Sequence, residues 1–297
     1  VIEPTVAPRL RVAVIGVGRV GSVLGAALIR AGHTVVAATG VSNASIRRAE
    51  KLLPGVPLVP ADVAAEQADL VLLSVPDDQL ADLVAGLART DTWRSGQLAV
   101  HCSGAYGVGI FQRAAECGVV GMALHPVMTF AGRPEDVQRL EGAAFGVTAT
   151  EEFRPVAETL VIELGGEPIW VPEAARPRYH AALSIGSNHL VTLVNDSTDV
   201  LRAAGVENPV RLLGPLMSAS LDNSLRLGDD ALTGPISRGD RSTVEAHIKA
   251  LRGTAFLQPY LAMALRTMQR AQAAGRLTNE QCADLIAGIE SAGRDPE

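Results

Sequence analysis

Gly16-Val17-Gly18-Arg19-Val20-Gly21 is a short stretch whose residue types and spacing already imply a ligand. Glycines so placed let a strand turn sharply into a helix, admit a pyrophosphate to the backbone, and pack the helix close to the strand. The helix that follows offers N–H donors and a favourable dipole to phosphates. Its flanks agree with that use. Arg11 to Ile15 is a β-branched run, Val20 to Ala31 has helical period and is closed by Gly32, and His33 to Ala38 reads as a second strand. A dinucleotide is expected at such a βαβ turn, gripped by Gly16, Gly18, Arg19, Val20 and Gly21.

Sites that prefer NAD place an acid about 20 residues along, at the end of the second strand, to bind the ribose 2′-hydroxyl. Here Ala38-Thr39-Gly40-Val41-Ser42-Asn43 occupies that place, followed by Arg47 and Arg48. Ser42, Asn43 and the two arginines can meet a 2′-phosphate with hydroxyl, amide and guanidinium donors, so NADP(H) is expected. The alternative is that both arginines only cover a solvated helix face.

Ligands of open parallel sheets bind beyond the carboxyl ends of the strands. Three segments fall there: Ser74-Val75-Pro76-Asp77, His101-Cys102-Ser103-Gly104-Ala105, and His125-Pro126-Val127-Met128-Thr129-Phe130. Ser74, Val75 and Pro76 would line the cofactor, although each segment also reads as a plain connecting turn. Further along, His180, Ser184 and Asn188 recur every fourth residue and share a helix face, which points to a cleft or to water. A polar cluster from Thr233 to Asp240 includes Arg238 and leads into a helix carrying His247; Asp240 or Ser242 could simply cap that helix.

The elements that must position these groups fall into two kinds. Apolar runs at Leu70 to Val75, Gln97 to Cys102, Val119 to Leu124, Ala144 to Thr148 and Pro168 to Val171 alternate with segments of helical length. Beyond Pro172 strand-like runs give way to helical periods. The expected fold is α/β: a Rossmann-type, mostly parallel sheet over residues 9–172, then an all-α domain over 173–297. Within the latter, Arg176 to Ala204 reads as one helix ended by Gly205, Asn208 and Pro209 as the cap and first turn of the next, and Pro215 as its kink. Ser242 with Glu245, and Thr278 with Gln281, have capping-box spacing, and Pro259 interrupts the segment between them. Residues 1–8, with two prolines and no period, read as a tail.

Composition narrows the partners. A chain of 297 residues, 47% hydrophobic and 20% charged, suits about two domains with real cores. A net charge of −6 without a basic, aromatic patch argues against nucleic acid. No apolar stretch is long enough for a membrane span and no signal core opens the chain, so a cytoplasmic protein with a small-molecule partner is expected. Cys102, Cys117 and Cys282 show no metal or disulfide spacing, so free thiols and no metal are expected.

From Leu10 to Ile289 the chain resembles a family in which a Rossmann-like domain precedes a helical domain of unknown function 2520, of the 6-phosphogluconate dehydrogenase C-terminal type. The segments that carry the likeness are Gly16 to Gly21, Ser74 to Asp77, His101 to Gly104, His125 to Phe130, Tyr179-His180 through Asn188, and Thr233-Gly234-Pro235 with Arg238-Gly239-Asp240 and His247. The resemblance implies a homodimer built through the helical domain and a substrate cleft between domains. Ketopantoate reductase, pyrroline-5-carboxylate reductase and β-hydroxyacid dehydrogenases share the architecture, and many have a catalytic lysine four residues before an asparagine. Here Ser184 stands four before Asn188, and the chain's lysines are Lys51 and Lys249. A histidine is the natural substitute as proton donor, His180 ahead of His125, with Ser103, Asn188 and Arg238 holding the substrate's carbonyl and carboxylate. The expected activity is NADPH-dependent reduction of a small 2-oxo acid, ketopantoate first, which would place the chain in pantothenate biosynthesis. An imine reductase and a non-catalytic NADP(H) sensor are the alternatives.

Overall fold

Apolar residues that alternate along short strands decide the architecture of the first part of the chain. The computed structural model describes residues 8–293, so the tail expected over 1–8 lies, Pro8 apart, outside the described residues. Contacts divide the chain into two units, 1–187 and 188–297.

The first unit is built on one seven-stranded sheet: β1 (Arg11–Ile15), β2 (Thr34–Thr39), β3 (Leu70–Leu73), β4 (Leu98–His101), β5 (Val120–Pro126), β6 (Ala144–Thr148) and β7 (Glu167–Trp170). Their order is β2-β1-β3-β4-β5-β6-β7. All pairs are parallel except β5 and β6. Because side chains alternate across a strand, Val12, Val14, Leu70, Leu72, Val100, Met122 and Leu124 face one core, where Leu24 and Leu28 of the helix Arg19–Arg30 cover them. Ala13, Ile15, Val71, Leu73 and Ala99 face the other, under Leu80 and Val84 of the helix Asp77–Arg89. Sheets buried on both faces read as continuous apolar runs, as these do. The aligned register Ile15–Leu73–His101–Ala123 then brings the carboxyl ends of β1, β3, β4 and β5 to one edge.

The composition changes at Pro172, but the division by contacts comes 15 residues later because the helix Arg176–Ser184 is fastened to the sheet. Arg176 is buried, 1% exposed. Its guanidinium donates to Thr148 Oγ1 (2.8 Å), to Gly146 O (2.9 Å), to Ala123 O (3.1 Å) and to Ser103 O (3.3 Å). One side chain thus ties the end of β4 to β5 and β6. The single helix expected over Arg176 to Ala204 is also divided, by a wide π turn at Ile185–His189 that contains Gly186, a poor helix former.

The second unit packs the helices Arg241–Leu251, Leu257–Ala273 and Asn279–Gly293 around Val244, Ile248, Ala264, Met268 and Leu285. Asn208 caps the helix Pro209–Leu227 by accepting from Arg211 N at 3.3 Å, and that helix runs on through Pro215. Thr278 and Gln281 form the reciprocal cap their spacing implied. Two expectations change. Asp240, not Ser242, caps the helix Arg241–Leu251, taking Thr243 N at 3.1 Å while Ser242 donates its hydroxyl to Asp240. Pro259 interrupts nothing, because it sits in the first helical turn, where a missing N–H leaves no bond unmade. Among the described residues no helix is long and apolar enough to cross a membrane.

Replacing Arg176 by Met should leave acceptors on β5, on β6 and in the loop after β4 without their donor. A loss of about 2–4 kcal/mol in urea unfolding is expected, since each buried unmet group costs roughly 1–3 kcal/mol and some solvent will enter. An unchanged urea midpoint would refute that role.

Candidate active site at the carboxyl ends of the strands

The glycines of the first turn behave differently when a Cβ is built on each. On Gly16, whose φ is +97°, it would lie 2.4 Å from Ser74 O, and on Gly21 2.1 Å from Gly16 O. Both sites require glycine for backbone contact. At Gly18 a Cβ would meet nothing within 4 Å, so this glycine leaves open space beside the first turn of the helix Arg19–Arg30, whose N-cap uses no side chain. The turn lies where β2 and β3 flank β1 on opposite sides, the switch point at which open sheets take ligands. Ser74 and Val75 wall it at the end of β3, and Pro76 caps the helix Asp77–Arg89.

Ser42 is already engaged, forming a capping box with Ser45 (3.1 Å in each direction) at the head of the helix Asn43–Leu52. It therefore orients that helix, whose Asn43 and Arg47 are exposed and whose Arg48 is half-buried. Arg48 runs along Gly132, where a Cβ would sit 2.8 Å from Arg48 Cδ and 3.3 Å from Arg19 Cα. The Gly132 loop is held by the buried Asp136, whose Oδ2 accepts from the amides of Ala131, Gly132 and Arg133. No ion pair among the described residues involves Arg19, Arg47 or Arg48. Their charge remains available to an anion.

Beyond β4 and β5 lies a cluster of rings. His125, at the end of β5, has its Nδ1 2.8 Å from the Tyr179 hydroxyl, and its ring stands edge-on to His180 with centroids 6.0 Å apart. Arg176, Tyr179 and His180 come from one face of the helix Arg176–Ser184, which presents the rings once Arg176 is anchored. A Cβ on Gly104 would approach His180 Cδ2 to 2.7 Å and His125 Nε2 to 3.0 Å. The loop after β4 must be bare at that point.

Burial, followed by the charge of Arg176, pushes the His125 pKa down to about 4. His101 is also lowered to about 4 by burial, and is a fixed structural group: Nε2 bonds Gly107 O at 2.9 Å and Nδ1 accepts Ser103 N at 3.2 Å. Ser103 holds its turn, its hydroxyl accepting from Ala105 N and Tyr106 N. Burial raises the Cys102 thiol to about 12, which leaves it a poor nucleophile. Asn188 and Arg238 belong to the second unit: Asn188 lies exposed in the π turn, and exposed Arg238 donates to Thr233 O. His247 pairs with the Tyr260 hydroxyl at 2.9 Å. Arg176 and Tyr179 were not singled out from the sequence as site residues. Their signal was the Arg-x-x-Tyr-His spacing in the first turn of a helix, together with Gly104 and Gly146 facing it.

Comparison with known proteins fits this geometry. Residues 3–126 match a Rossmann-like domain and residues 143–267 a domain of unknown function, DUF2520. No functionally curated protein matches the sequence. Among solved structures, a provisionally named NADP oxidoreductase from Bacteroides fragilis is similar, with a TM-score of 0.73 at 20% identity, covering 88% of this chain and 98% of its own. A reductive aminase from Aspergillus terreus, in complex with NADPH and ethyl levulinate, has a TM-score of 0.64 at 17% identity, covering 94% and 99%. An imine reductase variant from Myxococcus stipitatus, in complex with NAD+, has a TM-score of 0.58 at 16% identity, covering 95% and 100%.

The glycines separate fold from ligand. Gly21→Ala should lose about 2 kcal/mol in chemical unfolding through its backbone clash, whereas Gly18→Val should unfold like the parent yet fail to take up a dinucleotide in calorimetry. The reverse pattern would show the turn misassigned. The lowered histidines set a pH window: the unfolded chain gains protons below about 6.5 while His101 and His125 resist until about 4, so stability is full above pH 6.5 and falls toward pH 4. Urea midpoints at pH 7.5 and pH 5 should differ in that sense, and less so in His125→Gln.

Proposed function

We propose that this chain, which joins a Rossmann-like domain to a domain of unknown function (DUF2520), is an NADP(H)-dependent reductase of a small carbonyl or imine. The observation that carries this reading is the open space at Gly18 between two glycines locked against backbone, at the switch point of the sheet. A pyrophosphate fits such a cradle, and Arg47 and Arg48 supply charge for a 2′-phosphate. Bound there, the nicotinamide supplies hydride to the substrate carbon.

The chain's own groups do the rest. His180, half-buried against Gly104 and edge-on to His125, donates the proton to the developing oxygen or nitrogen anion. His125 is unsuited to that role at neutral pH, because with a pKa near 4 it carries no proton to give as an imidazolium. The names of the reductive aminase and the imine reductase favour a C=N substrate. Ketopantoate rests on shared architecture and belongs in the panel as the test of a C=O substrate. A homodimer through the second unit is part of the proposal: Leu193, Leu212, Leu216 and Met263 are exposed there and line one apolar groove.

The experiment is NADPH oxidation with purified protein and a panel of 2-oxo acids, including ketopantoate, and cyclic imines. NADPH should bind at least tenfold tighter than NADH, about 1.4 kcal/mol, and replacing Arg47 and Arg48 together should erase that preference. With the substrate found, His180→Gln should lower turnover about a hundredfold at unchanged NADPH affinity. Tight NADPH binding with no turnover across the panel would instead favour the sensor reading.

A further inference from the structure

His125 has no place as an acid in that scheme, yet it is among the most elaborately held side chains in the first unit. Its strand partner across β5 and β6 is Gly146, and the Tyr179 ring fills the space above that glycine: a Cβ there would lie 2.2 Å from the phenol oxygen. The Arg176 guanidinium stands 5.7 Å from the centre of the Tyr179 ring and donates to Gly146 O and Ala123 O, on the two strands that carry the histidine and its neighbour. The phenol is therefore fixed from both sides, with its oxygen 2.8 Å from His125 Nδ1.

A neutral imidazole carries one N–H, and the phenol decides which nitrogen has it. Burial raises the Tyr179 hydroxyl's pKa and keeps it protonated, and its hydrogen-bond partner is His125 Nδ1. A phenol hydroxyl is the stronger donor and an imidazole nitrogen the stronger acceptor, so Nδ1–H donating to the phenol oxygen would be the weaker pairing. With the phenol donating instead, both groups are satisfied. Nδ1 then holds the lone pair and Nε2 the hydrogen, and Nε2 is the nitrogen that faces the bare Gly104 and the edge of His180.

We propose that Tyr179 is a positioning residue that locks His125 in its Nε2–H form, so that His125 serves as a neutral hydrogen-bond donor to the substrate's acceptor atom beside His180. The donor role rests on the reductase reading, and deepens it. The acceptor is a carbonyl oxygen or an unprotonated imine nitrogen, since an iminium would meet N–H against N–H. A neutral donor stabilises charge developing on that atom without losing its own proton, while His180 delivers one. Glycine at 104 lets both rings lie against the loop after β4 and so keeps the two histidines together.

The lock is tested without any substrate by long-range proton–nitrogen spectra of the histidine-labelled full chain at pH 7. His125 should show a protonated Nε2 and a bare Nδ1. In Tyr179→Phe, which keeps the ring against Gly146 and Arg176, the lock is gone and the Nδ1–H form should become populated, drawing the two ring-nitrogen resonances toward each other, with the thermal midpoint little changed. A protonated Nδ1, or a Tyr179→Phe spectrum identical to the parent, would overturn the lock. The donor role is read with whichever panel compound is reduced. Glutamine can both accept from Tyr179 and donate an N–H, so His125→Gln should keep at least a tenth of the parent kcat where His125→Ala loses about a hundredfold. Equal losses in the two variants would overturn the donor role while leaving the lock standing. Absence of turnover with every compound, with the expected spectra, would overturn the reductase reading and the donor role together.

Discussion

A cation buried without a carboxylate shapes this molecule. Desolvating a guanidinium costs several kcal/mol, and Arg176 meets that cost with hydrogen bonds to three main-chain carbonyls and one hydroxyl. All of the acceptors are uncharged. No ion pair among the described residues holds its charge, and that charge lowers His125, with burial itself the larger influence. The same side chain fastens a helix to the sheet, supports Tyr179, and holds a histidine uncharged. Lysine could not substitute, because one compact ammonium cannot reach acceptors on β5, β6 and the loop after β4 as a planar fork does.

Much of the fold was legible because its period was clean. Seven strands were expected and seven are present, most within two residues of the expected ends, since β-branched and apolar runs buried on both faces have no competing reading. The helical part was read less well. Gly186 stands within an otherwise regular helical pattern, and period alone does not distinguish an α turn from a π turn. Asp240 and Ser242 both had a claim on one helix start, and the choice depended on which φ and ψ the chain adopts there.

At the candidate site, the glycine turn was legible because each glycine answers a steric demand that sequence spacing encodes. His125 and His180 were named from the sequence, and they do lie together. What makes them different from each other was not legible. It comes from the burial of His125, from Arg176 and Tyr179 beside it, and from Gly104 and Gly146, whose lack of side chains matters only once strands are in register. Ser103 read as a substrate ligand by its place after a strand; its hydroxyl oxygen accepts from two amides of its own turn, a structural tie that the spacing did not show.

The reversal of direction between β5 and β6 bears on how such a chain can be divided. The Rossmann-like match ends at 126, the last residue of β5, and the DUF2520 match begins at 143, next to β6, so the seam between the two matches runs through a single hydrogen-bonded sheet. A fragment cut at that seam would keep Met122 and Leu124 on an open edge strand with unpaired amides and carbonyls, a template for aggregation. It would also lose Arg176. The two matches are consecutive stretches of sequence, but β6, β7 and the helix that bears Arg176 fold with the strands before them. Recombination that swapped one stretch for another would have to respect the sheet, and the natural cut falls after the last ring of the cluster.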